Sequence, residues 1–525
     1  MDDVRNLWRF VAALVAVLLS ALPTLAQEAP TVPAGPLTLE QVLDLAEARS
    51  ESVGIARTGV TRAEGEQMRA RSGRYPQLNA SAAYDRALAS EFSGVFGGGA
   101  SGPPCAPFTL DPSAALPDRV AEIERAIDCG ALTGSLFGGG SGDEAVDLPF
   151  GRKNTWRVSL LFSQSVYSGG RIGAQTDIAA AGRTSAELNL TAALARQKFD
   201  VTQAFFDLAL TERLVQIAEA TVAQAEATVR QVQAGFEAGA QPEFELLRAR
   251  VTRDNQRPAV IRNRANRDIA MLRLKQLLDL PPDYNLQIVA PLDGPVPPPS
   301  AFAARVEAVQ GQTFAEMLSP EATAQRTPVR EAATTVRLRE ASLRGALAER
   351  RPSVSVTSNY SNVAYPSGLF PTGNIRTNWT VGASLDFPVL TGGRQKGSER
   401  VARAELEQSR LQLRLTEELA LLDARAAQAE LTAAMAAFEA SAGTVGQAMR
   451  AYQIAEVRFQ SGVSTQLELA DARLLLQQAE ANQAQAARDL QVARARVALL
   501  PDLPLNVSSG NTTAPPASGG GGGIE

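Results

Sequence analysis

Residues 458–473 read RFQSGVSTQLELADAR, and residues 236–250 read FEAGAQPEFELLRAR. Five residues recur between the two stretches at an offset of 223 positions: Phe236 and Phe459, Gly239 and Gly462, Leu246 and Leu469, Ala249 and Ala472, and Arg250 and Arg473. In both stretches an apolar helical pattern reaches a glycine and a new helical pattern begins after it, which is typical of the turn of a helical hairpin. Two such turns predict an internal duplication of the chain.

The segments before the two glycines carry a long coiled-coil pattern. Over residues 190–236, and again over residues 413–459, apolar residues recur at alternating steps of four and three with few polar exceptions. A sustained pattern of this kind indicates a left-handed coiled-coil seam, and an isolated amphipathic helix of a globular core is the alternative. Together with the return segments, the patterns predict helical hairpins over residues 171–279 and 394–500.

Four other segments alternate strictly between apolar and polar residues, which is typical of β-strands with two different faces. Strands of about 9–11 residues with aromatic residues at their ends are typical of membrane-spanning sheets. Half of a sandwich and a small sheet packed on helices are the alternatives. The predicted strands cover residues 74–85, 156–167, 351–361 and 379–390; the aromatic residues at their ends are Tyr84, Trp156, Tyr360 and Trp379; and Leu78, Leu160, Val354 and Leu385 are predicted to face lipid.

The composition argues against catalytic and metal-binding chemistry. The chain of 525 residues has no histidine and two cysteines, so it lacks the commonest general base and cannot assemble a Cys/His zinc site. Its net charge of −5 gives no indication of a nucleic-acid partner. We therefore predict that the protein is not an enzyme and needs no cofactor.

The N-terminus predicts export from the cytoplasm. Residues 1–26 have the features of a secretory signal peptide, because Arg5 and Arg9 accompany an apolar run that is followed by small residues. That run is shorter than the roughly 20 residues a membrane-spanning helix needs. Exported cysteines enter an oxidising compartment, so we predict a disulfide between Cys105 and Cys129, with two free thiols as the alternative.

The remaining segments complete the domain organisation. Repeat one covers residues 27–280 and begins with a predicted helix over residues 37–72, and its two strands are joined by a long loop in water, residues 86–155, with a short amphipathic helix inside it. The segments that follow are a proline-rich linker over residues 281–312, repeat two over residues 313–500, and a tail over residues 501–525 that is predicted to be disordered.

The order of these features resembles the TolC family of outer-membrane efflux proteins over roughly residues 37–500. The signal peptide, the duplicated plan, the Gly-Gly-Arg turns after the second strand of each repeat and the glycine-centred tips carry the resemblance. It implies an α+β membrane protein, a homotrimer whose 12-stranded β-barrel sits in outer-membrane lipid and is continued by a long periplasmic α-helical coiled-coil barrel.

The function implied by the resemblance is that of an exit duct in the outer membrane, extending into the periplasm. Such a duct passively conducts small molecules delivered by an inner-membrane pump and a periplasmic adaptor protein. A duct for type I protein secretion is an alternative with the same fold. A periplasmic structural coiled coil without a pore is an alternative of another class.

The resemblance also implies an acidic gate and a docking surface for the adaptor at the hairpin tips. The gate positions are Glu468 and Asp471 in repeat two and Glu245 in repeat one, where Arg248 departs from the acidic pattern. Glu468 also fits a helix capping box, which is the alternative interpretation of that residue. An arginine that ties the closed gate to repeat one in the family is replaced by Ser464. The docking positions are Phe236, Gly239, Arg458, Phe459 and Gly462.

Overall fold

The computed structural model describes residues 35–89, 106, 108–128, 154–290, 292, 302, 319–366 and 375–505. The chain divides into two compact units. The helical unit takes residues 1–68, 174–343 and 397–525, and the strand unit takes residues 69–173 and 344–396. The predicted signal peptide, both cysteines of the predicted disulfide and most of the linker lie outside the described residues.

The strand unit contains one antiparallel sheet in which the strands follow each other in chain order. Its strands are β1 (Gln77–Arg86), β2 (Asn154–Tyr167), β3 (Ser353–Ala364) and β4 (Ile375–Asp386). The register between β2 and β3 shifts at a bulge between Ser165 and Tyr167. Within the described residues, β1 and β4 each pair with a strand on one side, so both are edge strands.

The register gives the sheet two chemically different faces. Directly paired residues share a face, and consecutive residues of a strand lie on opposite faces. One row therefore joins Leu160, Tyr360 and Trp379, and the next row, on the other face, joins Leu161, Asn359 and Thr380. We call these the apolar face and the polar face. The apolar face includes Leu78, Ala80, Tyr84, Trp156, Val158, Leu160, Phe162, Val354, Val356, Tyr360, Trp379, Val381 and Leu385.

The strand ends differ from the sequence predictions by a few residues. The strands β1 and β3 begin directly after Pro76 and Pro352, because proline cannot donate to the ladder. At the other end of the sheet, β3 continues past its predicted end at residue 361, and β4 begins before its predicted start at residue 379. A polar pair on the apolar face interrupts the alternation there, since Thr377 Oγ1 donates to Asn362 Oδ1 at 2.8 Å. Trp379 is therefore the fifth residue of its strand rather than the first.

The helical unit is built around two helices of 67 residues, each about 100 Å long. No described helix combines the length and apolarity needed to cross a membrane. The helices of the chain are α1 (Leu39–Arg49), α2 (Glu51–Ser72), α3 (Leu116–Asp128), α4 (Arg171–Glu237), α5 (Glu243–Leu277), α6 (Pro320–Gln325), α7 (Thr327–Ala348), α8 (Arg394–Gln460) and α9 (Gln466–Leu499). Of these, α3 lies in the strand unit, in the loop between β1 and β2.

The largest apolar core of the helical unit surrounds the middle of α4. Val201, Phe205 and Leu208 are almost fully buried there, at positions of the predicted heptad seam or next to them. The start of α1, the segment after α5 and the end of α9 pack against them. The heptad pattern therefore marks the buried side of the helix, as a coiled-coil seam should.

The first helix of each repeat is broken rather than continuous. The predicted helix over residues 37–72 is divided at Ser50, which has a ψ of 120°. In repeat two, α6 and α7 are divided at Arg326, which has a ψ of 137° and lies 276 positions later. No glycine or proline marks Ser50, so the sequence pattern missed this break. At the start of α1, Thr38 and Gln41 form a capping box.

At the break in repeat two, the side chain of Arg326 is held by a buried ionic cluster. Its Nη2 lies 2.6 Å from Asp423 Oδ2, and its Nη1 donates to the carbonyl oxygen of Ala420 at 2.6 Å. Arg496 Nη2 donates to the other oxygen of Asp423 at 3.0 Å. The side chains of Arg326 and Asp423 are 5% and 4% exposed, so this cluster connects three helical segments in the core.

The predicted disordered tail begins too early at residue 501. The carbonyl of Pro501 accepts a hydrogen bond from the Thr327 amide at 2.8 Å, and Asp502 Oδ1 accepts one from the Thr327 hydroxyl at 3.1 Å. Leu503 is buried in the largest core. The first residues of this segment are therefore part of the packed unit, because they accept the hydrogen bonds that Thr327 donates at the start of α7. Residues 506–525 lie outside the described part of the chain.

Candidate gate and docking site at the hairpin tips

The two hairpin tips have the same backbone conformation. We call residues 234–245 tip one and residues 457–468 tip two. Gly239 and Gly462 have φ values of 75° and 74°, which side chains disfavour. In tip one the amides of Gly239 and Ala240 donate to the carbonyls of Phe236 and Gly235 at 2.9 and 2.8 Å; in tip two the equivalent distances are 3.0 and 2.9 Å. This is the Schellman arrangement that ends a helix at glycine.

Behind the tips, all four helices of the two hairpins share one apolar cluster, which we call the tip cluster. Each helix contributes two side chains, so the cluster joins the two hairpins rather than packing each one alone. Its members are Val229 and Val232 of α4, Leu246 and Ala249 of α5, Tyr452 and Phe459 of α8, and Leu469 and Leu476 of α9.

The predicted docking residues divide into exposed and buried ones. Phe236 is 40% exposed, whereas Phe459 is 8% exposed and belongs to the tip cluster. Arg458 is exposed and lies 3.9 Å from a carboxylate oxygen of Glu468. Val463, which the sequence pattern did not single out, is 69% exposed beside Gly462. The apolar surface of the tips therefore includes Phe236 and Val463, together with the exposed side chains of Phe244, Val457 and Leu467.

The two acidic residues predicted for the gate in repeat two lie together on the exposed side of α9. Glu468 and Asp471 are three residues apart, which places them on one helix face, and both are exposed. The Thr465 hydroxyl accepts a hydrogen bond from the Glu468 amide at 3.3 Å and caps the helix. The Glu468 carboxylate points toward Arg458 and remains in solvent. Capping therefore uses the backbone amide of Glu468 and not its carboxylate.

Glu245, the residue predicted for the gate in repeat one, lies in a different environment. The side-chain amide of Gln466 is oriented so that both its nitrogen and its oxygen have hydrogen-bond partners. Its nitrogen donates to Glu245 Oε2 at 2.8 Å and to the Glu245 backbone carbonyl at 3.2 Å. Gln466 is buried, so this contact ties the start of α9 to the start of α5. Glu245 is thus half-buried and part of the contact between the tips, unlike the two exposed acids of repeat two.

Sequence reasoning missed the role of Arg473, which is buried between the hairpins. Its Nη2 donates to Thr228 Oγ1 at 2.8 Å, and Thr228 in turn donates to the Gln224 carbonyl at 3.1 Å. Burial lowers the pKa of the Arg473 guanidinium, while Tyr452 and Glu456 act in the opposite direction. An available signal was its position between Leu469 and Leu476, four and three residues away, which is a core position of the helix.

Ser464, which replaces the arginine expected from the family, makes a contact within its own tip. Its amide donates to the Arg458 carbonyl at 3.2 Å. At the tips, the arginine of repeat two that reaches repeat one is Arg473, nine residues further along, which donates to Thr228.

The family model for outer membrane efflux proteins matches residues 119–279 and 318–501. The chain belongs to the outer membrane efflux protein family. It is accordingly a protein of the outer membrane that extends into the periplasm, and the resemblance drawn from its sequence is confirmed. The family is one of transport channels rather than of enzymes. No protein in a search of curated sequences matches this chain.

Solved structures similar to this efflux protein share its fold at low identity. The Vibrio cholerae outer membrane protein VceC is 17% identical, with a TM-score of 0.62 over 88% of this chain and 95% of that one. The Campylobacter jejuni channel CmeC is 16% identical, with a TM-score of 0.64 over 89% and 86%. The open state of the Neisseria gonorrhoeae channel MtrE is 18% identical, with a TM-score of 0.63 over 92% and 96%.

Proposed function

We propose that this efflux protein is the exit duct of a tripartite export system. Three chains together form a 12-stranded β-barrel in the outer membrane, to which each contributes its four strands. A periplasmic adaptor docks at the hairpin tips, and an inner-membrane pump supplies the energy. The duct itself is passive, and small molecules pass through it to the outside.

The two-faced sheet with open edges is the observation that carries this proposal. On the apolar face, Trp379 and Val381 are both 70% exposed, and Leu78 on the opposite edge strand is 67% exposed. An exposed apolar sheet face of this kind needs a nonpolar surrounding. Serine hydroxyls pair across the polar face, as between Ser81 and Ser159 at 2.7 Å, and suit a water-filled interior.

The number of strands argues for several chains. Open sheet edges leave backbone groups without partners, which lipid does not tolerate. Single-chain barrels in outer membranes have about 8 or more strands, so four strands are too few to close one. Pairing β1 of one chain with β4 of the next closes the barrel, and three chains give the 12 strands that the family resemblance implies.

The tips supply the gate and the docking surface in this proposal. Three chains bring three copies of Glu468 and Asp471 around one axis, and a ring of carboxylates favours cations at a narrow mouth. Phe236 and Val463 offer apolar contacts to the adaptor, with Arg458 next to Val463 and with Gly239 and Gly462 shaping the two turns. The similar channel MtrE was solved in an open state, which is consistent with a channel that also closes.

Substitutions on the two faces of β2 test the proposal. Leu160→Arg places a charge on the lipid side near mid-membrane, which costs roughly 2–4 kcal/mol, whereas Ser159→Arg places it in the water-filled lumen. We expect Leu160→Arg to reduce the amount of assembled trimer in outer-membrane fractions several-fold and Ser159→Arg to leave it near the wild-type level. Equal effects of the two substitutions, or a monomeric wild type in mild detergent, would contradict the barrel.

A further inference from the structure

Inside one chain, α9 of repeat two packs against α4 and the start of α5 of repeat one, and we call this contact the internal seam. Three polar contacts cross it, and each pairs a side chain of α9 with a side chain of repeat one. They join the two hairpins at the tips and at two levels further from the tips. Starting from the tips, the pairs are Gln466 with Glu245 at 2.8 Å, Arg473 with Thr228 at 2.8 Å, and Arg488 with Asp207 at 2.6 Å.

Equivalent helices of the two repeats are not covered equally. Helix α9 has 15 buried residues, whereas α5, its equivalent in repeat one, has four. Helix α4 has 21 buried residues, and its equivalent α8 has 11. At one matched position, Ala484 of α9 is 4% exposed, whereas Ile261 of α5 is 69% exposed. In the described part of the chain, α5 and α8 therefore expose surface that their equivalents bury.

The duplication indicates what covers this surface in the proposed duct. Three chains with two repeats each place six similar hairpins around one axis, so hairpins meet alternately within a chain and between chains. The offset of 223 residues then sets α5 of one chain against α8 of the next, in the register in which α9 meets α4. We call this contact the inter-chain seam. The inference rests on the proposed function, because only a closed ring of chains contains this seam.

The three polar contacts of the internal seam lose their chemistry at the inter-chain seam. The offset replaces the amide of Gln466 by the carboxylate of Glu243, which lies opposite Glu468 of the next chain. Both carboxylates are exposed, and like charges that face each other repel. Arg458, 3.9 Å from Glu468, forms an exposed pair of the kind that contributes little. The other two pairs become Arg250 opposite Ala451 and Ala265 opposite Glu430.

We propose that the tips of the duct part along the inter-chain seam, while the internal seam stays closed. Repulsion between Glu243 and Glu468 opposes closure where two chains meet, whereas the equivalent place inside a chain holds the hydrogen bond from Gln466 to Glu245. Further from the tips, Ile261 supplies an apolar contact that keeps the chains together. Each chain therefore moves as one unit when the tips open, and the seam between chains regulates the duct.

Cross-linking of the assembled protein tests the register of the inter-chain seam. With both native cysteines changed, Cys105→Ser and Cys129→Ser, the pair Arg250→Cys with Ala451→Cys is treated with a short bis-maleimide. We expect covalently linked dimers and trimers on a denaturing gel. The matched control is Arg250→Cys with Ala437→Cys, which lies about 21 Å further along α8 and should leave monomers. A trimeric protein in which the first pair does not link, or in which both pairs link equally, would overturn the seam.

Single-channel recording of charge variants tests whether the seam regulates opening. Glu243→Arg places a cation opposite Glu468 of the next chain, so it should hold the tips together and lower the open probability several-fold. Glu468→Arg should act in the same direction. The double variant faces arginine with arginine, which restores the repulsion and should restore opening. Glu237→Arg, at an exposed acid of the same tip whose equivalent is Gln460, should open like the wild type.

The outcomes separate the seam from the duct. Single variants that open like the wild type would overturn the proposal and leave the duct in place. A double variant that opens less than either single variant would show that net charge, and not the pairing across the seam, sets the opening, and this result would also overturn the proposal. A wild-type protein that is monomeric or gives no conductance steps would contradict the proposed duct itself, and the seam would fail with it.

Discussion

The two hairpin tips share a backbone and differ in their side chains. Both turns have a glycine at a φ near 75° and the same pattern of amide-to-carbonyl hydrogen bonds. Arg473 of repeat two is buried and reaches Thr228 of repeat one, whereas its equivalent Arg250 is exposed. The comparison teaches that both repeats require the turn, while the buried arginine that connects the hairpins belongs to repeat two.

The breaks in the first helix of each repeat also share a backbone feature and differ in the side chains that hold them. At the break in repeat one, Gln197 forms neutral hydrogen bonds with the Ser52 hydroxyl at 3.5 Å and with the Leu277 carbonyl at 3.0 Å. At the break in repeat two, Arg326 instead forms the buried cluster with Asp423. The residue of repeat one that corresponds to Asp423 is Asp200, 223 positions earlier, and it forms an exposed pair with Arg196 at 3.7 Å.

The largest effect should come from removing the buried carboxylate of repeat two. Asp423→Ala leaves Arg326 and Arg496 without their shared partner in the core, and an uncompensated buried charge costs about 3–5 kcal/mol. We expect a large fall in assembled protein and in its thermal denaturation midpoint. The matched variant is Asp200→Ala, which breaks an exposed pair worth at most about 1 kcal/mol. Comparable losses from both variants would mean that the repeats do not differ at this position.

A smaller effect should come from the contact between Arg473 and Thr228. Thr228→Val leaves a buried guanidinium without this acceptor, which costs about 1–3 kcal/mol. Arg473→Met removes the buried charge together with its need for a partner, so it should destabilise the protein less than Thr228→Val does. When Arg473 is already methionine, adding Thr228→Val should cost little further stability. Hydrogen exchange of the α9 amides in the solubilised protein measures the free energy of opening.

The equivalent position in repeat one is the control for that cycle. Arg250→Met should change the opening free energy of α5 by less than about 0.5 kcal/mol, because Arg250 is exposed. Additive effects of Thr228→Val and Arg473→Met would show that the hydrogen bond does not join the two hairpins.

The smallest effect should come from the start of α9. Thr465 caps this helix through its hydroxyl, whereas Pro242 at the start of α5 makes no side-chain cap. Thr465→Ala should destabilise the first turn of α9 by about 1 kcal/mol, and Thr465→Ser should preserve it. Faster exchange of the amides near Glu468 in Thr465→Ala, with wild-type rates in Thr465→Ser, is the expected result. Identical exchange rates in all three proteins would show that the Thr465 hydroxyl does not stabilise the start of α9.

The sequence was informative wherever a local rule applied. Gly239 and Gly462 revealed both tips because a left-handed turn favours glycine, and the period-two alternation revealed four strands. It was uninformative where partners are distant. Thr228 and Arg473, which are hydrogen-bonded, are 245 positions apart in the chain. The helix break at Ser50 is not marked by a glycine or proline in the sequence. Contacts that depend on three-dimensional packing cannot be found from periodicity alone.

The three acidic residues predicted for the gate show both what the sequence could predict and what it could not. The spacing of Glu468 and Asp471 was enough to predict that they share a helix face, and both are exposed. The same reasoning grouped Glu245 with them, yet Glu245 holds Gln466 at the contact between the tips. Its neighbours come from the other repeat, so its own sequence context could not reveal them.

Ion selectivity of single channels tests the central claim, that this protein is a duct whose tip in repeat two is an acidic gate. The wild-type protein in planar bilayers should give conductance steps that prefer cations and are blocked by lanthanum from the tip side. Glu468→Gln with Asp471→Asn should reduce both the preference and the block, whereas Glu245→Gln should change them little. A double variant that conducts and is blocked like the wild type, or a wild type without conductance, would contradict the account.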